Sequence, residues 1–170
     1  MMTPNADDPA LEQAAKQVLD HAIARKLTLA TAESCTAGAL AQVLANAPGA
    51  SDNFHGGFVV YTKQNKTAAL GVPADLIARH SAVSSEVAKA MAKGALEHCP
   101  ADLAVAITGV AGPEPDEDGN PVGLVHIAVA GRDGLMIERE HRFGEVSKDE
   151  ICGGILMLAL QLLDSAITQQ

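Results

Sequence analysis

The chain has 170 residues, 48% of them hydrophobic and only 2% aromatic, and its 21 acidic and 12 basic residues give a formal net charge of −9. That is enough apolar residue for one domain with a real core, and too much for a disordered chain. The few aromatics (Phe54, Phe58, Tyr61 and Phe143) form no base-stacking platform, and no Lys/Arg cluster overcomes the acidic balance, so nucleic acid is not an expected partner.

Cys35, Cys99 and Cys152 lie far apart with no C-x-x-C, the usage of reduced thiols in a cytoplasmic protein. The acidic N-terminus lacks a basic region followed by an apolar one, so no signal peptide is expected. The longest apolar run, Ile155 to Leu163, is too short for a membrane span, and no membrane partner is expected.

In chain order, residues 1–9 read as a disordered tail and 10–168 as a single domain. Leu11, Ala14, Ala15, Val18, Leu19, Ala22 and Ile23 recur at helical spacing. Leu27 to Ala32 reads as a buried strand, and Ala37 to Ala45 as a small-residue helix ending before Pro48-Gly49. Ser51-Asp52-Asn53 reads as a polar loop and Gly56 to Tyr61 as a second strand. Thr62 sits where a cap belongs, before a helix from Lys63 to Leu70 closed by Gly71. A short helix follows Pro73. Ser84 or Ser85 caps another, which Pro100 stops. Leu103 to Ile107 has the apolar continuity of a strand buried on both faces. After a Pro/Gly-rich loop, Val122 to Ala130 and Leu135 to Phe143 read as a hairpin across Gly131-Arg132-Asp133-Gly134. A last helix runs from about Lys148 to Ile167. It is apolar enough to serve a core, an interface or both, and a homo-oligomer, a dimer first, is expected. Alternating strands and helices followed by a hairpin predict an α/β protein, a three-layer α/β/α sandwich around a mixed, mostly parallel sheet.

Four stretches could carry chemistry. Thr31-Ala32-Glu33-Ser34-Cys35-Thr36-Ala37-Gly38 joins a strand to a helix, where free N–H groups can bind developing negative charge. A serine there is a helix cap or a nucleophile. A nucleophilic serine needs a neighbouring base. No spacing selects any of the six histidines. Lys66 could act if burial left its amine neutral; otherwise it is a solvated helix lysine. If the strands before Ser34 and Lys66 are parallel neighbours, both side chains emerge at one sheet edge. Tyr61, the only tyrosine, is a proton relay or a strand-end residue with its hydroxyl in water. Thr108-Gly109-Val110-Ala111-Gly112-Pro113 permits close backbone approach to a ligand, or is an ordinary turn. Glu114 to Asn120 reads as a solvated acidic turn without the ligand spacing of a calcium loop. No H-E-x-x-H, paired cysteines or His-x-His suggests a metal site.

Taken together, the stretches resemble the CinA C-terminal domain family, the nicotinamide-nucleotide amidases. Thr31 to Gly38 is similar to that family's T-A-E-S-C-T-G-G. Gly57 to Lys66 with Leu70-Gly71-Val72 is similar to G-x-V-x-Y-S-N-E-A-K…L-G-V. Ala82-Val83-Ser84 matches A-V-S, and Ala106 to Pro113 with Pro121-Val122-Gly123 is similar to A-I-T-G-I-A-G-P…K-P-V-G. The resemblance implies hydrolysis of nicotinamide mononucleotide to nicotinate mononucleotide and ammonia, with Ser34 as nucleophile, Lys66 as base and Tyr61 in the motif. It further implies substrate contacts from Glu33, Cys35, Thr36, Ala37, Gly38, Thr108, Gly109 and Gly112, and no metal or organic cofactor. The chain departs from the pattern at four places. Ala37 replaces a Gly, Lys63-Gln64-Asn65 replaces Asn-Glu-Ala, and Asn120 replaces a Lys. Gly144 to Asp149 lacks the Gly-Asp-Arg often found before the last helix, leaving Arg142 or Lys148 to hold the substrate phosphate. The pyrophosphatase-like N-terminal domain of longer members is not expected here. Two other readings remain: a nucleotide-binding or interaction module with little or no turnover, and Ser–Lys hydrolysis of another amide or a peptide.

Overall fold

The computed structural model describes residues 8–170. In order these form α1 (Pro9–Arg25), β1 (Leu29–Glu33), α2 (Ala39–Asn46), α3 (Ala50–Asn53), β2 (Phe54–Val59) and α4 (Lys63–Leu70). They continue with α5 (Ala74–His80), α6 (Ser85–Glu97), β3 (Leu103–Gly109), β4 (Leu124–Gly131), β5 (Met136–Arg142) and α7 (Lys148–Thr168). Residues 1–7 of the expected tail lie outside the described residues. Pro9 does not belong to that tail: it opens α1, where its missing N–H costs nothing, and the Asp8 carboxylate accepts from the Ala10 N–H.

One sheet in the order β2-β1-β3-β4-β5 organises the chain. β1 runs parallel to both β2 and β3, whereas β4 is antiparallel to β3 and β5. Four strands thus point one way and β4 alone points back. Side-chain size alternates along the central strands, and the two faces differ accordingly. Leu29, Leu103, Val105, Ile107, Val125, Ile127 and Val129 face α1, α2 and α7. Ala30, Ala32, Ala104, Ala106, Ala128 and Ala130 face α4, α5 and α6. The bulky face needs two long helices to cover it. The alanine face lets α6 lie close, with Val87, Ala88, Met91, Ala92 and Ala95 buried against it. The result is the three-layer α/β/α sandwich that the element order predicts.

Several local readings differ from the structure. Ser51-Asp52-Asn53 is part of the single helical turn α3, entered through Gly49. β1 and β2 are shifted by about two residues from their predicted spans, which leaves Tyr61 beyond its strand. Ser84, not Ser85, caps α6 by accepting from the Val87 N–H. Helix α7 is long and apolar enough to cross a membrane by composition. Here it packs on the sheet, with Ile151, Ile155, Leu156, Ala159, Leu163 and Ala166 all buried.

Candidate active site

The register of β1 and β2 sets the site. Glu33 pairs with Val59, so both parallel strands end at one edge, and the Val60 N–H donates to the Glu33 carbonyl just beyond. Ser34 leaves β1 there, held by its N–H to the Ile107 carbonyl of β3. On the β2 side the chain turns through Tyr61 into α4. The Thr62 hydroxyl caps that helix by accepting from the Asn65 N–H. Lys66 therefore lies in the first turn of α4, with its side chain returning over the strand ends. Its Nζ is 2.8 Å from Ser34 Oγ, 3.0 Å from the Val60 carbonyl oxygen and 3.5 Å from that of Tyr61.

Lys66 is 2% exposed. No carboxylate among the described residues forms an ion pair with it. Burial without a counter-charge disfavours the ammonium and lowers its pKa from the ordinary 10.5 to about 8, the Cys35 thiol opposing slightly. Three oxygens surround Nζ: as an ammonium it donates to all three, and as a neutral amine it can give its two hydrogens to the carbonyls and turn its lone pair to the Ser34 hydroxyl.

Ser34 does not cap α2. The Ncap residue is Gly38, which has no side chain to offer, and the buried Glu33 carboxylate takes its place. That carboxylate accepts from the N–H groups of Gly38 (3.1 Å), Leu40 (3.0 Å) and Ala41 (2.8 Å), and from the hydroxyls of Thr36 (2.6 Å) and Thr31 (3.3 Å). A negative charge at a helix N-terminus satisfies orphan donors and opposes the helix dipole. Glu33 and Thr36, expected to touch substrate, are thus the internal frame of the turn. Ala37 and Gly38 bend the chain, with φ of +50° and +95°. None of these four lines the cleft. At that positive φ the Ala37 Cβ is strained by about 1 kcal/mol.

A cleft of about 390 Å³ opens over Ser34 and Lys66. Of the other expected site residues, Cys35, Tyr61, Thr108, Gly109 and Gly112 line it. Burial pushes the Cys35 thiol up to about 12, so it is no competing nucleophile at neutral pH. Tyr61 is 67% exposed at the rim, and Lys66 reaches Ser34 without it, so the expected relay is not needed. The Thr108 hydroxyl is committed to the Ala82 carbonyl at 2.7 Å. Gly109 and Gly112 are small because of the chain itself. A Cβ would meet the Leu124 carbonyl oxygen at 2.9 Å in one case and Val122 Cγ1 at 2.9 Å in the other. The close approach these two glycines permit is to the loop leading into β4 and to its first residue. Of the two cations offered for a phosphate, Lys148 lines the cleft, while Arg142 is paired with Glu140 at 2.9 Å on β5.

Val110 of the glycine loop and Lys63 line the cleft as well, and so do residues the sequence reading gave no place in the site: Ala82, Val83 and the carboxylate-bearing Glu114, Asp116 and Glu117. The matched A-V-S motif was a signal for Ala82 and Val83, and the stretch read as a solvated acidic turn holds the last three. Among the described residues no group of three or more His, Cys, Asp or Glu side chains could hold a metal ion.

The same α/β/α sandwich is found among solved structures. The structure of a competence/damage inducible protein from Agrobacterium tumefaciens superposes with a TM-score of 0.89 and 36% identity, covering 99% of both chains. A CinA superfamily protein from Escherichia coli superposes with a TM-score of 0.87 and 36% identity, covering 97% of this chain and 99% of that one. The chain belongs to the CinA family: residues 11–167 match the model of the CinA C-terminal domain. A CinA-like protein of Synechococcus sp. (strain RCC307) is 46% identical over 159 residues, 93% of this chain and 37% of that protein. The CinA-like protein of Geobacter sulfurreducens is 44% identical over 132 residues, 75% of this chain and 32% of that protein. The chain thus spans about a third of the length of the curated relatives it matches.

Proposed function

We propose that this chain is an amidase that hydrolyses nicotinamide mononucleotide to nicotinate mononucleotide and ammonia. The observation that carries the reading is the 2.8 Å contact between Ser34 Oγ and the Nζ of a buried lysine without a carboxylate partner. A hydroxyl becomes an effective nucleophile when a base with a pKa near the working pH takes its proton, and Lys66 meets that condition.

In this mechanism Ser34 Oγ attacks the carboxamide carbon and its proton passes to Lys66 Nζ. The oxyanion lies against the N–H groups of Cys35 and Thr36, which meet no carbonyl acceptor among the described residues. The C–N bond breaks, and the leaving nitrogen takes the proton from Lys66 to depart as ammonia. Water then attacks the Ser34 ester, giving its proton to Lys66, and the proton returns to Ser34 Oγ as the acid leaves. Lys148 is the cation of the cleft wall that serves the substrate phosphate.

The test is ammonia release from the mononucleotide by wild type, Ser34→Ala and Lys66→Met. The reading expects turnover by the wild type alone. Turnover by either variant at the wild-type rate contradicts it.

A further inference from the structure

The acidic segment Glu114 to Asn120 does not float in solvent. Lys63 Nζ is 2.8 Å from Glu117 Oε1 and 2.8 Å from Asp118 Oδ1. The Ser81 hydroxyl donates to Asp118 Oδ2 at 2.8 Å, and Asn120 Nδ2 donates to Ser81 Oγ at 2.8 Å. Asp116 closes the loop from within by accepting from the N–H and the side-chain amide of Asn120, each at 2.7 Å. Helix α4, the segment after α5 and the acidic loop thus meet at one node.

That node lies between two cavities. The catalytic cleft of about 390 Å³ has a neighbour of about 600 Å³ behind α4 and α5. Lys63 lines both. At each of the other two contributing segments the chain crosses from one cavity to the other within a residue. Glu117 faces the cleft and Asp118 the neighbour; Ala82 faces the cleft and Ser81 the neighbour. The neighbour also carries Arg79, whose exposed guanidinium pairs with Asp75 at 2.9 Å and is the cation a second phosphate would meet there, and His80, 3.6 Å from Glu86.

We propose that the Lys63–Asp118 pair is a partition that sets substrate length, which makes Lys63 a specificity-determining residue. Closed, the partition limits the cleft to a mononucleotide. Opened, cleft and neighbour form one groove that admits a dinucleotide carrying the same carboxamide. The reaction would be unchanged: amide and water give carboxylate and ammonia. The proposal rests on the amidase reading for its choice of ligands. The pair is suited to opening because it is partly exposed, with 37% and 29% of the two side chains accessible. Such pairs contribute little stability individually.

The experiment measures calorimetric affinities for nicotinamide mononucleotide and nicotinamide adenine dinucleotide in a Ser34→Ala background, which removes turnover. Four proteins are compared: Lys63 intact, Lys63→Met, Asp118→Asn and Lys63→Arg, each checked for an unchanged melting transition. The dinucleotide-to-mononucleotide affinity ratio should rise about tenfold or more in Lys63→Met and Asp118→Asn, a shift of about 1.4 kcal/mol, and stay at the parental level in Lys63→Arg. An unchanged ratio in both, or no dinucleotide binding by any of the four, overturns the partition. If Lys63→Met gains dinucleotide binding while wild type releases no ammonia from the mononucleotide, the partition stands and the amidase reading falls. Asp118→Asn, which keeps size and shape, decides the matter should Lys63→Met fail to fold.

Discussion

Lys63 and Lys66 stand one turn apart on the same helix and have opposite fates. Lys63 is half-buried, meets two carboxylates, and its ammonium is stabilised: the bonds to Asp118 and Glu117 raise its pKa above the ordinary 10.5. Lys66 is buried among carbonyls and a hydroxyl, and its pKa falls to about 8. Residue type is the same and the backbone is one helix. What differs is whether a negative charge is in reach when water is removed. The first environment makes a structural clasp and the second favours a neutral amine.

Replacing each lysine should separate the two most widely. On the amidase reading, Lys66→Met lowers kcat/KM for the mononucleotide by about 10³-fold or more, the scale of losing a general base, while Lys63→Met costs about tenfold or less. Ammonia release by the purified variants reads both. A smaller but still large effect belongs to Glu33, which frames the turn that holds Ser34 against Lys66. Glu33→Ala leaves the N–H groups of the cap residue Gly38 and of Leu40 and Ala41 in α2 without their acceptor and should lower unfolding free energy by about 3 kcal/mol, measured by urea denaturation.

The pH dependence should separate the lysines by sign. For Lys66 the folded pKa lies below the unfolded one, so the unfolded chain binds more protons between about pH 8 and 10.5, and stability rises with pH across that window. For Lys63 the folded pKa lies above the unfolded one. Its contribution is complete below 10.5 and is lost as pH rises through the folded value. Denaturant midpoints from pH 7 to 11 test this: Lys66→Met should abolish the rise, and Lys63→Met should abolish the loss. The smallest effect concerns Ala37, which holds φ of +50° in the turn below the dyad. Ala37→Gly should stabilise by about 1 kcal/mol, read in the same titration.

The sequence made Lys66 legible and Lys63 not, for a physical reason. The apolar runs before Ser34 and Lys66 implied two strands whose parallel pairing would bring both side chains to one edge. The motif resemblance favoured Lys66 as a base over a solvated helix lysine, and the structure supplies the pairing. Lys63 depends on a loop more than fifty residues away, and nothing in Glu114 to Asn120 announces that it folds back onto α4. Two departures from the family pattern, Lys63 for Asn and Asn120 for Lys, looked unrelated in sequence. In the structure both side chains reach the Asp118–Ser81 node. Glu33 was misplaced for a similar reason. The motif resemblance marked it as a substrate contact, and only the side-chain-less cap at Gly38 shows that helix α2 needs it more.

The central claim is that Lys66 presents a neutral amine to Ser34 near physiological pH. A direct measurement is an NMR titration of lysine Cε and Nζ resonances in labelled protein, with Lys66 assigned by its loss in Lys66→Met. The account predicts a midpoint near 8 for that resonance. A midpoint at or above the ordinary 10.5 would leave Ser34 without its base and contradict the account.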